Sequence, residues 1–342
     1  MLRTQVYSGT AYEIGAARGR MLKGLPVPKV TAAEVAFARL CAGVTKEVFP
    51  PALDTFRGMA DASGLGGDDF MAYYFARREG VLRGCTMFAV VPPVTRDGGV
   101  IVGRNYDWVY SDLKWCEARG IRQAGAFLTL GYTHHWAGLP DALNEEGLFV
   151  AIASLPKRPP ERPGLQWNLI VDAMMATCRA VREAEALLTS VSHLRAMSYL
   201  VADASGDAAV VEAGPGGTSV RRVSDGFVLA TNHEVGGAEP SDRGARSRRR
   251  YVRAEEALRA HRGRVDEGVV KALLSDHEGQ VCSGLHAHQT EAFHRGEGWG
   301  TIWSSICRPD LRTLLIAPGH PCEVAYERVD FRILDFGFRI SE

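Results

Sequence analysis

The chain has 342 residues, of which 46% are hydrophobic and 23% charged, ordinary usage for a globular protein with a sizeable core. Forty basic side chains balance forty acidic ones, which argues against a global basic field for nucleic acid. No apolar run approaches the ~20 residues of a transmembrane helix, and the N-terminus has no apolar secretory core. The expectation is a cytoplasmic protein with neither a nucleic-acid nor a membrane partner.

The first third reads as helical. TAAEVAFARLCAGV (31–44) has apolar residues at helical spacing, and PALDTFRGMADASG (51–64) opens on proline and closes on glycine. DDFMAYYFARREGVL (68–82) continues the pattern, with Asp68 or Asp69 as cap. The period then changes. CTMFAVVPP (85–93) and GVIVGRNYDW (99–108) read as two strands joined by a turn near Asp97. Further strand candidates are 125–131, 147–155, 198–204, 208–214 and 226–232, and residues 200–214 form a hairpin with SGD at its tip. Residues 168–191 are predicted as one long helix, with Leu169, Ala173, Met174, Cys178, Val181, Leu187 and Leu188 broadly on one face. Two helices (246–261 and 266–276) and a strand-like tail (300–307, 311–319 and 329–338) complete the chain. Strands, helices, then strands again predict stacked sheets with helices outside.

Few motifs carry chemistry. No P-loop or dinucleotide-binding glycine pattern is found. His134-His135 and His286/His288 match no ligand spacing such as HExxH and read as polar loop residues, so no metal and no cofactor are expected. The seven cysteines (41, 85, 116, 178, 282, 307 and 322) contain no CxxC pair, which argues against a disulfide framework or a zinc ribbon. The run 236–250 is the most polar stretch; its arginines read as a solvated basic face, or as an anion site for the phosphates of a carrier thioester.

Gly84-Cys85 heads the first strand. A buried cysteine there is either an inert packing group or a nucleophile. The hairpin folds Arg104 and Asp107 back toward it, so thiol, guanidinium and carboxylate either converge or form a surface ion pair beside a core cysteine. A spacing of three does not place Arg104 and Asp107 on one face of a regular strand; a bulge or the strand end would have to do so.

GCTMFAVV…GRNYDW resembles the start of the mature chain in Ntn hydrolases of the choloylglycine hydrolase and penicillin acyltransferase group. Four more segments follow in the same order. PDALNEEGLFVAIASL is similar to the family's N-[ED]-x-G-[LV] turn, LVADASGDAAVVEAG to its central hairpin, and LATNH to the segment with its second asparagine. RRRYVRAEEAL resembles its S-x-x-R-[YF]-x-R helix start, led by Ser247 with Arg250 as first arginine. The N-terminal YSGTAYEIGAARGR is similar to the acyltransferase branch, which carries a long pro-segment. The resemblance runs from about residue 7 to residue 320.

The resemblance implies an α+β fold: a four-layer αββα sandwich of two stacked antiparallel sheets. A helical pro-segment, 1–84, would precede a catalytic domain, 85–342, and stay docked after cleavage as a small subunit walling the substrate pocket. It also implies autocatalytic scission between Gly84 and Cys85. A backbone amide is not basic, whereas a free α-amine titrates at ~7.7–8.0, so the cut creates a general base on the nucleophile's own residue. Cys85 would then form an acyl-thioester from a linear amide or thioester, resolved by water or an amine acceptor. Asp107 would orient the α-amine and Arg104 favour the thiolate. Asn144 and Asn232 would donate to the oxyanion, and Arg250 would support the site. His233 and Glu212 read as structural neighbours. The expected partners are a small acyl amide or acyl thioester and the chain's own pro-segment, with homo-oligomerisation allowed. The alternative is a non-catalytic acyl-ligand-binding or docking protein on the same fold.

Overall fold

The computed structural model describes residues 2–25, 29–76, 84–156, 162–236, 242–284 and 296–334. One sheet has eight strands in the order β1 (Thr4–Gly9), β4 (Glu117–Gln123), β5 (Thr129–Thr133), β6 (Asp141–Asn144), β7 (Phe149–Ser154), β8 (Met197–Ala202), β9 (Ala208–Gly214) and β10 (Gly217–Arg222). The other has six, in the order β11 (Phe227–Ala230), β2 (Cys85–Val90), β3 (Ile101–Val109), β12 (Trp299–Arg308), β13 (Thr313–Ala317) and β14 (Glu327–Asp330). Every pairing is antiparallel except β1 with β4.

Strand alternation sorts the side chains into three cores. Cys85, Met87 and Ala89 of β2 pack with Leu143, Phe149, Leu200 and Trp303 between the sheets. Phe88 and Val90 point the other way, onto Ala254 and Leu258 of α7 (Asp242–Ala260) and Val270 and Leu273 of α8 (Glu267–Leu274). Behind the larger sheet, Ala142, Val150 and Ile152 meet α5 (Trp167–Thr177) and α6 (Val181–Ser190). The result is the predicted αββα layering, with strands buried on both faces reading as apolar runs rather than alternating ones.

The segment ahead of Cys85 belongs to the same core. It carries four helices, α1 (Ala11–Arg20), α2 (Ala32–Val48), α3 (Pro51–Ser63) and α4 (Gly67–Ala76); α3 and α4 place Phe56, Met59, Phe70 and Phe75 in one cluster with Leu169, Ile170 and Met174 of α5. Each such side chain contributes about 1.5–3 kcal/mol by leaving water. Capping boxes at Thr10/Glu13 and Thr31/Glu34 start α1 and α2. Gly15 and Gly58 allow α1 and α3 to touch, since a Cβ at either would strike backbone of the other helix. Among the described residues, no helix is long and apolar enough to cross a membrane.

Three sequence expectations change. The N-terminal segment is not wholly helical: Thr4–Gly9 forms β1, paired in parallel with β4 at the sheet edge. The helix predicted over 168–191 is two helices. Cys178 and Ala180 are extended, Asn144 Nδ2 takes the carbonyls of Met175 and Cys178, and Asp203 accepts the N–H of Val181 at the start of α6. The tail is the short strand β14 followed by a 3-10 turn at Phe331–Leu334; the rest of the strand expected over 329–338 lies outside the described residues. Strands β4, β6 and β10 are additional to those the sequence predicts.

Candidate active site

The antiparallel register sets Cys85 opposite Tyr106 and Met87 opposite Arg104. Arg104 and Asp107 therefore face opposite sides of the six-stranded sheet. The Arg104 side chain enters the inter-sheet core, where it ion-pairs with Asp141 of the facing sheet and donates to the Ile152 carbonyl at 3.0 Å. It lies over Tyr106, 4.4 Å from the ring centre. Asp141 is fixed in turn by Trp303 Nε1 and Ser305 Oγ, both at 2.8 Å. No bulge in β3 brings the two onto one face; the irregularity lies in the partner strand β12, where the register shifts between Thr301 and Trp303.

Asp107 faces the α7/α8 layer. Its Oδ1 accepts from Thr301 Oγ1 at 2.8 Å, whereas the buried Oδ2 accepts no hydrogen bond among the described residues. That oxygen lies against Gly84: a Cβ at Gly84 would fall 3.0 Å from Asp107 Cγ and still closer to Oδ2. The Asp107 N–H donates to the Gly84 carbonyl at 2.9 Å. Burial raises the Asp107 pKa, opposed by Arg250, the hydroxyls of Thr301 and Ser283, and Arg104.

Cys85 sits between these faces. Its N–H donates to Asn232 Oδ1 at 2.6 Å, and Arg250 Nη2 donates to the same oxygen at 2.8 Å and to the Cys85 carbonyl at 3.5 Å. A guanidinium only donates, so the Asn232 atom facing it must be the carbonyl oxygen. Asn232 Nδ2 then points to the Ser154 carbonyl, 3.0 Å away. Three residues apart on α7, Ser247 and Arg250 reach the same asparagine: Ser247 Oγ accepts the Asn232 N–H at 2.7 Å. Burial raises the Cys85 thiol pKa; Arg104 is the leading charge against that rise, Asp107 adds to it, and the Asp107 N–H and Arg250 oppose it.

The structure brings together Cys85, Gly84, Arg104, Asp107, Asn232 and Arg250. Asn144 is elsewhere. On β6, Asp141 and Leu143 face the inter-sheet core, so Asn144 faces the helices. All of its polar atoms are engaged there: Nδ2 by Met175 and Cys178, Oδ1 by the Leu148 N–H at 3.0 Å. It braces a turn and a helix end, a role that the turn-like NEEG sequence already suggested. His233 is also structural, with Nδ1 3.0 Å from Thr231 Oγ1 and 2.8 Å from Ser247 Oγ. Glu212 pairs with Arg221. His134 and His135 flank the Tyr106 hydroxyl at 3.0 and 3.2 Å, within an aromatic group that includes Trp108 and Trp303. His286 and His288 lie outside the described residues. A cavity between the N-terminal helices and the larger sheet, lined by Arg18, Phe56 and Asp172, contains none of the site residues. Sequence reading missed Asp141, Thr301, Ser154 and the backbone N–H of Asp107. Only Asp141, an acid opening an apolar strand, carried any local signal.

The sandwich and its layers are those of the Ntn-hydrolase superfamily. The chain belongs to the acyl-coenzyme A:6-aminopenicillanic acid acyl-transferase family, whose model matches residues 94–322, C-terminal to Cys85. Among solved structures it is similar to a mutant of conjugated bile acid hydrolase from Clostridium perfringens (12% identity, TM-score 0.51, covering 73% of this chain and 93% of that one). A second variant of that hydrolase gives 13% identity and a TM-score of 0.53, with 73% and 93% covered. Penicillin V acylase from Agrobacterium tumefaciens gives 14%, 0.50, 72% and 86%. At these identities the likeness is one of fold. No curated protein sequence matches the chain.

Proposed function

We propose that this protein is an autocatalytically processed N-terminal-cysteine amidohydrolase or acyltransferase. The observation that carries the reading is the pairing at the Gly84-Cys85 bond: the Cys85 nitrogen rests on Asn232 Oδ1, and a buried Asp107 oxygen with no hydrogen bond of its own among the described residues lies beside Gly84. Both acceptors suit an α-ammonium that does not exist until the bond is cut.

In processing, Cys85 Sγ attacks the Gly84 carbonyl carbon. The developing oxyanion is stabilised by the Asp107 N–H, which already donates to that oxygen. The Cys85 nitrogen leaves with a proton, giving a thioester between Gly84 and Sγ. Water opens it, releasing the Gly84 carboxylate and regenerating the thiol. In the mature enzyme the free α-amine, held by Asn232 Oδ1 and Asp107 Oδ2, accepts the thiol proton. The sulfur attacks the acyl carbonyl, Asn232 Nδ2 donates a hydrogen bond to the oxyanion, and the leaving amine takes the proton back from the α-ammonium. Water, or an acceptor amine, then cleaves the acyl-thioester by the same route. Arg104 opposes the burial that raises the thiol pKa, and Arg250 locks Asn232 in the required orientation. The substrate class is a small linear acyl amide or acyl thioester, and residues 1–84 remain docked through β1 and the shared core.

Acid-quenched reactions with a panel of acyl amides and acyl thioesters test this. The expected result is one acyl group on the peptide that begins with Cys85. Turnover with no acyl group on that peptide, or an acyl group on another residue, would overturn the assignment.

A further inference from the structure

A second cluster lies behind the site, where two segments distant in sequence meet. Cys282 ends the loop after α8, its N–H bonded to the Asp276 carbonyl at 2.9 Å; His277 belongs to the same loop, its carbonyl accepting the Gln280 N–H. His320 and Cys322 lie in the turn after β13, which is tightened by the N–H groups of Glu323 and Val324 on the His320 carbonyl. The ligand atoms of His277, Cys282 and Cys322 all fall within 4.8 Å of one another. Cys282 Sγ is 3.7 Å from Cys322 Sγ and 3.5 Å from His320 Nδ1.

The sulfur separation matches an edge of a metal-centred tetrahedron: with Zn–S of about 2.3 Å, the S···S edge is about 3.8 Å. A disulfide requires about 2.05 Å. The other His320 nitrogen, Nε2, lies 3.2 Å from the Tyr110 hydroxyl. The Tyr110 contact thus fixes the His320 ring beside the Cys282 sulfur, where it orients the thiolate from behind. Cys282 and His320 are buried, while His277 and Cys322 are exposed and give a cation its way in.

We propose that Cys282, Cys322 and His277 form a structural site for a thiophilic divalent cation, with zinc as the fitting ion and His320 beside it at the Cys282 sulfur. Binding releases one proton from each thiol, so two thiolates neutralise the dication. The ion clamps the loop carrying His277 and Cys282 to the turn carrying His320 and Cys322. Its reach extends further: the Ser283 N–H donates to Thr301 Oγ1 at 2.9 Å, and Thr301 donates to Asp107. The clamp therefore steadies the hydroxyl that holds the site carboxylate. The site is independent of whether Gly84-Cys85 is cut.

The test uses the full, untagged chain, purified reduced and stripped of metal, then loaded with zinc or cobalt(II) and desalted. Expected results are one retained ion per chain, a thiolate-to-cobalt charge-transfer band, and a zinc-dependent rise in Tm. Cys322→Ser, an exposed change, should abolish the band and the Tm response; His277→Ala should weaken retention by roughly tenfold or more; Cys85→Ala should leave both intact. Failure to retain metal, a cobalt spectrum without the thiolate band, loss of binding in Cys85→Ala, or a Cys282–Cys322 disulfide in freshly isolated metal-free protein would overturn the proposal.

Discussion

Gly84→Ala separates processing from catalysis. The new Cβ would be driven into Asp107 Oδ2 and would stand 3.0 Å from Cγ and 3.2 Å from Cβ of the same side chain. Asp107 has little room to yield: it is fully buried, and its Oδ1 is tied to Thr301. Gly84 must therefore back away, and its carbonyl shifts relative to both Cys85 Sγ and the Asp107 N–H. Overpacking of this kind costs about 1–3 kcal/mol, and a displacement of about 1 Å at a reacting carbon costs roughly a hundredfold in rate. Self-cleavage of Gly84→Ala should accordingly be slower by about one to two orders of magnitude, followed by denaturing gel or mass spectrometry after synthesis. Residue 84 ends the N-terminal fragment and is no longer joined to Cys85 once the bond is cut, so cleaved protein should turn over substrate at close to the wild-type rate. Cleavage at the wild-type rate, or normal cleavage with impaired turnover, would refute the reasoning.

Asp107→Asn keeps the shape but replaces a charge-assisted bond to the α-ammonium with a neutral one. The difference of about 1–2 kcal/mol predicts a fall in kcat/KM of about 5- to 30-fold, and an unchanged value would remove the carboxylate from its role. Asn144→Ala should behave oppositely. It strands the carbonyls of Met175 and Cys178 and the Leu148 N–H, at about 1–3 kcal/mol each where buried, so Tm should drop while kcat of the folded fraction stays within about twofold. Burial, together with Arg248, Arg221 and Arg250, depresses the His233 pKa to about 4 from the ordinary 6.5. The neutral imidazole's contribution to stability is then complete above 6.5 and is lost as pH falls toward about 4. Urea unfolding across that window should show a steeper loss for wild type than for His233→Asn; parallel curves would contradict the shift.

Local chemistry explains what was legible in the sequence. The β2–β3 hairpin was readable because turn residues near Asp97 fix its register, and that register alone brings Arg104 and Asp107 to Cys85. Ser247 and Arg250 were readable because helical spacing of three puts both on Asn232. Parity tells against Asn144: a β6 strand that aims Asp141 inward aims Asn144 at the helices, and four residues are too short a run to show that alternation in sequence. β1 was hidden because six residues ahead of a capping box carry little periodic signal and are stabilised by a partner more than a hundred residues away. The Asp107 N–H, Thr301 and the Cys282/His320 cluster act through backbone geometry or long-range contact, which no window of sequence contains.

Denaturing mass spectrometry of the purified chain tests the central claim most directly. The account predicts two polypeptides divided between Gly84 and Cys85, the larger beginning with Cys85, and a single uncut chain for Cys85→Ala. A wild-type chain that stays whole and still turns over acyl amides would contradict it.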